Sequence, residues 1–244
     1  MDRIDWGALY GQYTAHHFGA WCRRKYAGEF ELPAAAVARI ARPAPEDVAW
    51  ITDALKHGTR PPAGRKWFVS QLLRRSDSMA ESLLVPVLDA AIDEVDPSYN
   101  QHFVRPCDKA FGERRVYKYL LSVVESGTDF RKAGAVNALY WVGWEFRPPA
   151  QLPSSEVELL RNLLMRKRCL LLETFVENPS LDVRRSIISK LNLKPADYPD
   201  GHQALVVRAI DIARRHEDGY IRHRVEVQLG DLSGGFPCLP DRLK

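Results

Sequence analysis

Cysteine is scarce in this chain. Its 244 residues include only four, Cys22, Cys107, Cys169 and Cys238, and no two of them form a Cys-x-x-Cys pair. That excludes a disulfide-stapled scaffold and a zinc site built on close ligand pairs. It suits a reducing, cytoplasmic setting in which thiols act as small buried hydrophobes. Long apolar runs are also missing. Stretches such as Cys169-Leu170-Leu171-Leu172 are far too short to cross a bilayer, so no membrane partner is expected. The opening Met1-Asp2-Arg3-Ile4-Asp5-Trp6 carries acids early and lacks the apolar core of a secretory signal. Nor is there much charge of one sign. Against 35 basic residues stand 31 acidic ones, a formal net charge of +4. That excess alone does not argue for nucleic acid; its arrangement would have to.

Catalytic signatures are equally sparse. No HExxH, GxSxG, GxxxxGK[ST] or GxGxxG occurs, and Ser233-Gly234-Gly235 is too short and too near the end for a phosphate loop. His216, Glu217, Asp218 and His223 gather near one turn, but a metal needs several ligands converging on one point. A polar turn with a helix cap is the simpler expectation. His16 and His17 sit among aromatics. Successive helical residues point about 100° apart, so only one of the pair is expected inside. Asp89, Asp93, Glu94 and Asp96 read as an exposed acidic helix end. No catalytic residue, metal or cofactor is expected.

What the chain does have is helical period. Between Glu81 and Ile92, apolar residues recur three and four apart, with Pro86 marking a kink or a first turn. Arg114 to Val124, Val157 to Leu172 and Ala204 to Ile212 repeat the pattern. Short Gly, Pro and polar loops separate the runs at Arg42-Pro43-Ala44-Pro45, Gly58 to Gly64, Asp96-Pro97, Ser126-Gly127, Arg147-Pro148-Pro149, Asn178-Pro179 and Lys194 to Gly201. About ten helices joined by short loops make an all-α chain of antiparallel hairpins. One domain over 1–232 is expected, with irregular helices in 1–60, hairpins in 65–230 and an irregular tail at 233–244.

Three segments align without gaps. They begin at Asp129-Phe130-Arg131, Asp182-Val183-Arg184 and Tyr220-Ile221-Arg222. Four residues after the leading apolar residue stands Gly134, Ile187 or Val225, and eight after it Ala138, Leu191 or Leu229. These offsets share one helical face. The pattern resembles the second helix of a HEAT repeat, roughly Asp-x-Val-Arg-x-x-Ala-x-x-Ala-Leu. The step of 38 residues from Val183 to Ile221 is close to one such repeat. The step of 53 from Phe130 to Val183 implies an insertion around Pro148 to Ser154. The resemblance is clearest for 112–230. It implies an α-solenoid in which the arginine and aspartate lie in the inter-helix turn and tie neighbouring repeats together.

Basic doublets recur at, among others, Arg131-Lys132, Arg166-Lys167-Arg168, Arg184-Arg185 and Arg222-His223-Arg224. In each, the first arginine is expected to bond within the turn and the second to face solvent. In a HEAT-like stack, polar positions of successive second helices align on the concave face. Lys132, Asn137, Arg185, Lys190, His223, Arg224 and Gln228, with Trp141 as an aromatic anchor, are therefore the expected binding residues. Their mix of cations, amides and an indole suits recognition better than bond-making, and points to a scaffold holding a protein partner. The alternative is nucleic acid. Small bacterial DNA glycosylases acting on alkylated bases are also HEAT-like, presenting Trp and an acid in a basic groove. Trp141, Trp144 and Glu145 are the nearest analogue here.

Overall fold

The computed structural model describes residues 3–22, 30–57, 64–143 and 154–230. Every regular element among them is helical, so the chain is all-α. No helix among them is long and apolar enough to cross a membrane. The chain sorts into two compact units, each discontinuous in sequence. The first holds 1–123 and 134–157, the second 124–133 and 158–244.

In the first unit the helices are α1 (Trp6–Cys22), α2 (Ala34–Ala41), α3 (Pro45–Lys56), α4 (Arg65–Arg75), α5 (Leu84–Ile92) and α6 (Gln101–Phe111), with most of α7 (Glu113–Ser126) and the latter half of α8 (Asp129–Ala138). A 3₁₀ turn at Glu81–Leu83 leads into α5 and leaves Pro86 in that helix's first turn, where no N–H is missed. Helices two apart in sequence pack together: α2 and α6 both lie on α4, and α3 lies on α5. The sequential pairs α3–α4 and α5–α6 close the unit into two interlocked rows.

The core between the rows is made of Ile40, Ile51, Phe68, Leu72, Leu83, Leu88, Ile92 and Phe103, all essentially inaccessible. Each such side chain contributes about 1.5–3 kcal/mol relative to staying exposed. An aromatic cluster locks α1 down. Trp6 stacks on Trp50 with centroids 5.3 Å apart, and Tyr13 meets Phe68 at 5.0 Å. Asp47 binds three elements at once. It accepts the Trp6 indole N–H and the Ala44 N–H, both at 2.8 Å, and pairs with Arg39 at 3.5 Å. Gly112 joins α6 to α7 at φ 80°, a conformation that penalises any side chain.

The second unit contains α9 (Ser154–Glu177) from Glu158 onward, α10 (Leu181–Ile188), α11 (Asp200–Arg214) and α12 (Gly219–Leu229), with the junction of α7 and α8. α12 packs against both α10 and α11. Val183, Ile187 and Leu191 are buried, as are Ile221 and Val225, on the face that the alignment assigned. The first aligned segment differs. Phe130 is 59% exposed, whereas Ala135, Val136 and Leu139 are fully buried. Gly134 and Ala138, the positions four and eight residues on, are buried as the alignment has them, so Phe130 alone departs from the pattern.

The inter-helix turns of this unit are tied in a repeated way. Arg184 donates to the Phe175 carbonyl at 3.2 Å, and Arg222 donates to the carbonyls of His216 and Glu217. Asn178 donates to Asp129 at 2.7 Å, and Arg185 to Asp218 at 2.7 Å. One pair of bonds closes each turn on itself and the other links one turn or helix to the next.

Candidate functional site

Two of the eight expected binding residues, Asn137 and Trp141, belong to the first unit; the other six belong to the second. Lys132 sends its ammonium to the Glu125 carbonyl at 3.2 Å. Arg185 is held by Asp218. His223 is exposed on α12, and Asn137 is half-buried on α8. Lys190 stands just beyond the end of α10 and donates to Ser186 O at 2.8 Å. Gln228 reaches from α12 to the Ile188 carbonyl at 2.9 Å.

Three of these residues come together. Arg224 and Gln228 are one turn apart on α12, and the packing of α12 on α10 brings them to Lys190. Lys190 is pushed down to about 8, first by burial of its ammonium and then by the charges of Lys167 and Arg224. Two buried polar atoms in the cluster, Arg224 Nε and Gln228 Oε1, have no hydrogen-bond partner among the described residues. A concentration of positive charge beside an unmet Arg224 N–H is costly to the fold alone, and favours an anionic group that can accept that bond, whereas the Gln228 oxygen, itself an acceptor, calls for a donor.

Lys167, the middle residue of the Arg166-Lys167-Arg168 triplet, also faces the cluster through its charge on Lys190. Its flanking arginines are committed elsewhere: Arg166 pairs with Glu125 at 3.0 Å, and Arg168 donates to Asp197 O and lies over the Tyr198 ring. The helical offset between Lys167 and its neighbours was the available signal.

Asp218 caps α12 by accepting the Ile221 N–H at 3.1 Å, as a polar turn with a cap requires. Its carboxyl is held below the usual range chiefly by the Arg185 hydrogen bond. His16 and His17 are both half-buried, edge to face at 5.1 Å, so neither is the single buried member. Glu94 is not part of an exposed acidic end. It is buried against Lys66 at 2.9 Å, because α4 supplies a cation that sequence order does not reveal. Trp141 ends a 3₁₀ turn, gives its indole N–H to Pro97 O at 2.8 Å and stacks under Arg105. Trp144 and Glu145, with the insertion around Pro148, lie outside the described residues. Comparison with protein-family models, curated proteins and solved structures finds no match to the chain.

Proposed function

We propose that the chain is a non-catalytic, HEAT-like binding scaffold that recognises an acidic segment of a protein partner through the second helices of its hairpins. The observation that carries this is the cluster of Lys167 from α9 with Lys190 and Arg224, in which three cations and a buried Arg224 N–H are brought together where α12 packs on α10. The paired turn bonds of Arg184 and Arg222, and the links Asn178–Asp129 and Arg185–Asp218, support the repeat reading. In a HEAT repeat, arginine and aspartate do this work. A carboxylate arriving at the cluster would relieve the mutual repulsion of its cations and take up the Arg224 N–H. A cytoplasmic setting belongs to the same proposal, and the free thiols of Cys107 and Cys169 agree with it.

The test uses the full chain and a labelled glutamate-rich peptide in a fluorescence anisotropy titration. Saturable binding is expected, weakened about tenfold or more in a Lys190→Gln/Arg224→Gln variant whose melting curve shows it folded. Equal affinity in that variant would overturn the assignment. So would a preference for a short DNA duplex whose binding falls steeply with salt, since that is the behaviour of phosphate contacts.

A further inference from the structure

A second concentration of positive charge lies in the first unit, on the faces that α4 and α6 turn toward each other. α6 buries Phe103, Val104 and Cys107. Its other side carries Gln101, Arg105 and Lys109, each four residues on from the last, with His102 three before Arg105. α4 ends in Arg74 and Arg75. Because α4 packs on α6, Arg74 is brought to the same place. Between them is a cavity of about 320 Å³ lined by Arg74, Gln101, His102, Arg105, Pro106 and Lys109, with Leu73 at its base.

Among the described residues no carboxylate lines this cavity. Lys109 gives its ammonium to Asp77 at 2.8 Å, a side chain 98% exposed. A pair so fully in water is weak and readily exchanged. Around the cavity the aromatic side chains are fixed. The His102 ring meets Trp67 edge to face at 4.7 Å, and Arg105 lies 5.1 Å over the Trp141 ring, whose N–H is anchored to Pro97. The Arg105 guanidinium is therefore oriented before any ligand arrives, which lowers the entropy cost of binding. His102 is held below the ordinary imidazole value by burial and by the charges of Arg74 and Arg105. A neutral ring beside two guanidiniums and an ammonium can offer an N–H to a phosphoryl oxygen without adding a further repulsive charge.

We propose that this cavity is a binding site for a small organic phosphate, whose phosphoryl oxygens are held by Arg74, Arg105 and Lys109 and whose carbon skeleton lies against His102 and Pro106. Guanidinium forks match phosphoryl geometry, and the lysine adds a movable charge. The volume sits at the lower end of small-molecule sites, of about 300–1,000 Å³, and so favours a compact phosphate ester over a polymer. The site is in a different unit from the acidic-peptide cluster, so either assignment can fail without the other.

The experiment is a calorimetric titration of the full chain at low salt with three probes: inorganic phosphate, phenyl phosphate and a single-stranded oligonucleotide. Each titration is paired with carbon-edited NMR of the His102 ring. Phenyl phosphate is expected to bind saturably and more tightly than inorganic phosphate, and to shift the His102 ring signal. Arg105→Gln, and separately Arg74→Gln, should each weaken it about tenfold or more while melting like the parent. The proposal is overturned if phenyl phosphate gives no saturable heat, or if binding leaves the His102 signal in place. It is also overturned if both arginine variants bind as the parent does, or if the oligonucleotide binds and phenyl phosphate cannot displace it.

Discussion

Arg185 and Asp218 meet at 2.7 Å, and the other oxygen of the same carboxylate takes the Ile221 N–H at 3.1 Å. One side chain therefore caps α12 and fastens it to α10. Asp218→Asn keeps an oxygen for the cap and removes the charge that Arg185 needs. The Arg185 hydrogen bond lowers the Asp218 carboxyl below its ordinary 3.8. An acid with a depressed folded value contributes stability above its ordinary value and loses it as pH falls through the folded one. The parent is thus expected to melt above Asp218→Asn at neutral pH, with the difference closing below pH 3.8. A difference that persists unchanged in strong acid would show that the ion pair is not its source.

Arg184 does its work inward. Its Nε donates to the Phe175 carbonyl at 3.2 Å and its guanidinium lies 5.8 Å over the Phe175 ring. Arg184→Ala removes a charged hydrogen bond that closes the α9–α10 turn, a loss of about 1.5–3 kcal/mol. Arg184→Lys should recover little of this, because an ammonium cannot present the same planar donor over an aromatic face. Denaturant melts of the two variants test it. An unchanged midpoint for Arg184→Ala would place the arginine in solvent and undo its role in the turn.

The helices were legible because their periodicity is a property of neighbours along the chain. Pro86, the Asn178-Pro179 break and the Val183 and Ile221 faces all follow from local pattern. What lies between helices distant in sequence was not legible. Glu94 looks like any acid at a helix end until α4 places Lys66 beside it. The cavity between α4 and α6 draws on residues some thirty apart, from Arg74 to Arg105, and no periodicity links them. In the expected binding face, Lys190, Arg224 and Gln228 were grouped by register and do meet, while Arg185 is engaged by an aspartate that the register could only place nearby.

Gly134 marks a close approach between helices. A Cβ built there would stand 2.0 Å from the Ile92 carbonyl oxygen and 2.9 Å from its carbon. Glycine in a helix costs about 0.5–1 kcal/mol relative to alanine, so propensity alone favours Gly134→Ala. The clash is with backbone, which cannot rotate away, and overpacking of this kind costs about 1–3 kcal/mol. The clash is therefore expected to win, with Gly134→Ala less stable than the parent. A variant that melts higher would mean α8 and α5 can separate without loss.

Lys66 and Glu94 form an ion pair inside the first unit, 2.9 Å apart with side chains only 6% and 7% exposed. The ammonium also lies 5.2 Å over the Phe103 ring, so α4, the end of α5 and α6 meet at this point. Removing two charges from water is expensive, and the attraction between them offsets that cost only while both are present. Glu94→Ala leaves a buried ammonium without its anion and is expected to cost about 3–5 kcal/mol. Lys66→Met with Glu94→Met removes both charges and fills the space with apolar atoms, so it should return close to parental stability or exceed it. The exposed Lys109–Asp77 pair is the control. Its side chains are 57% and 98% exposed, and Asp77→Asn should leave the melting midpoint unchanged. Equilibrium unfolding of the parent, the single variant, the double variant and the control separates the terms. If the double variant is as unstable as Glu94→Ala, the pair contributes through specific contacts that methionine cannot replace, and desolvation does not dominate it.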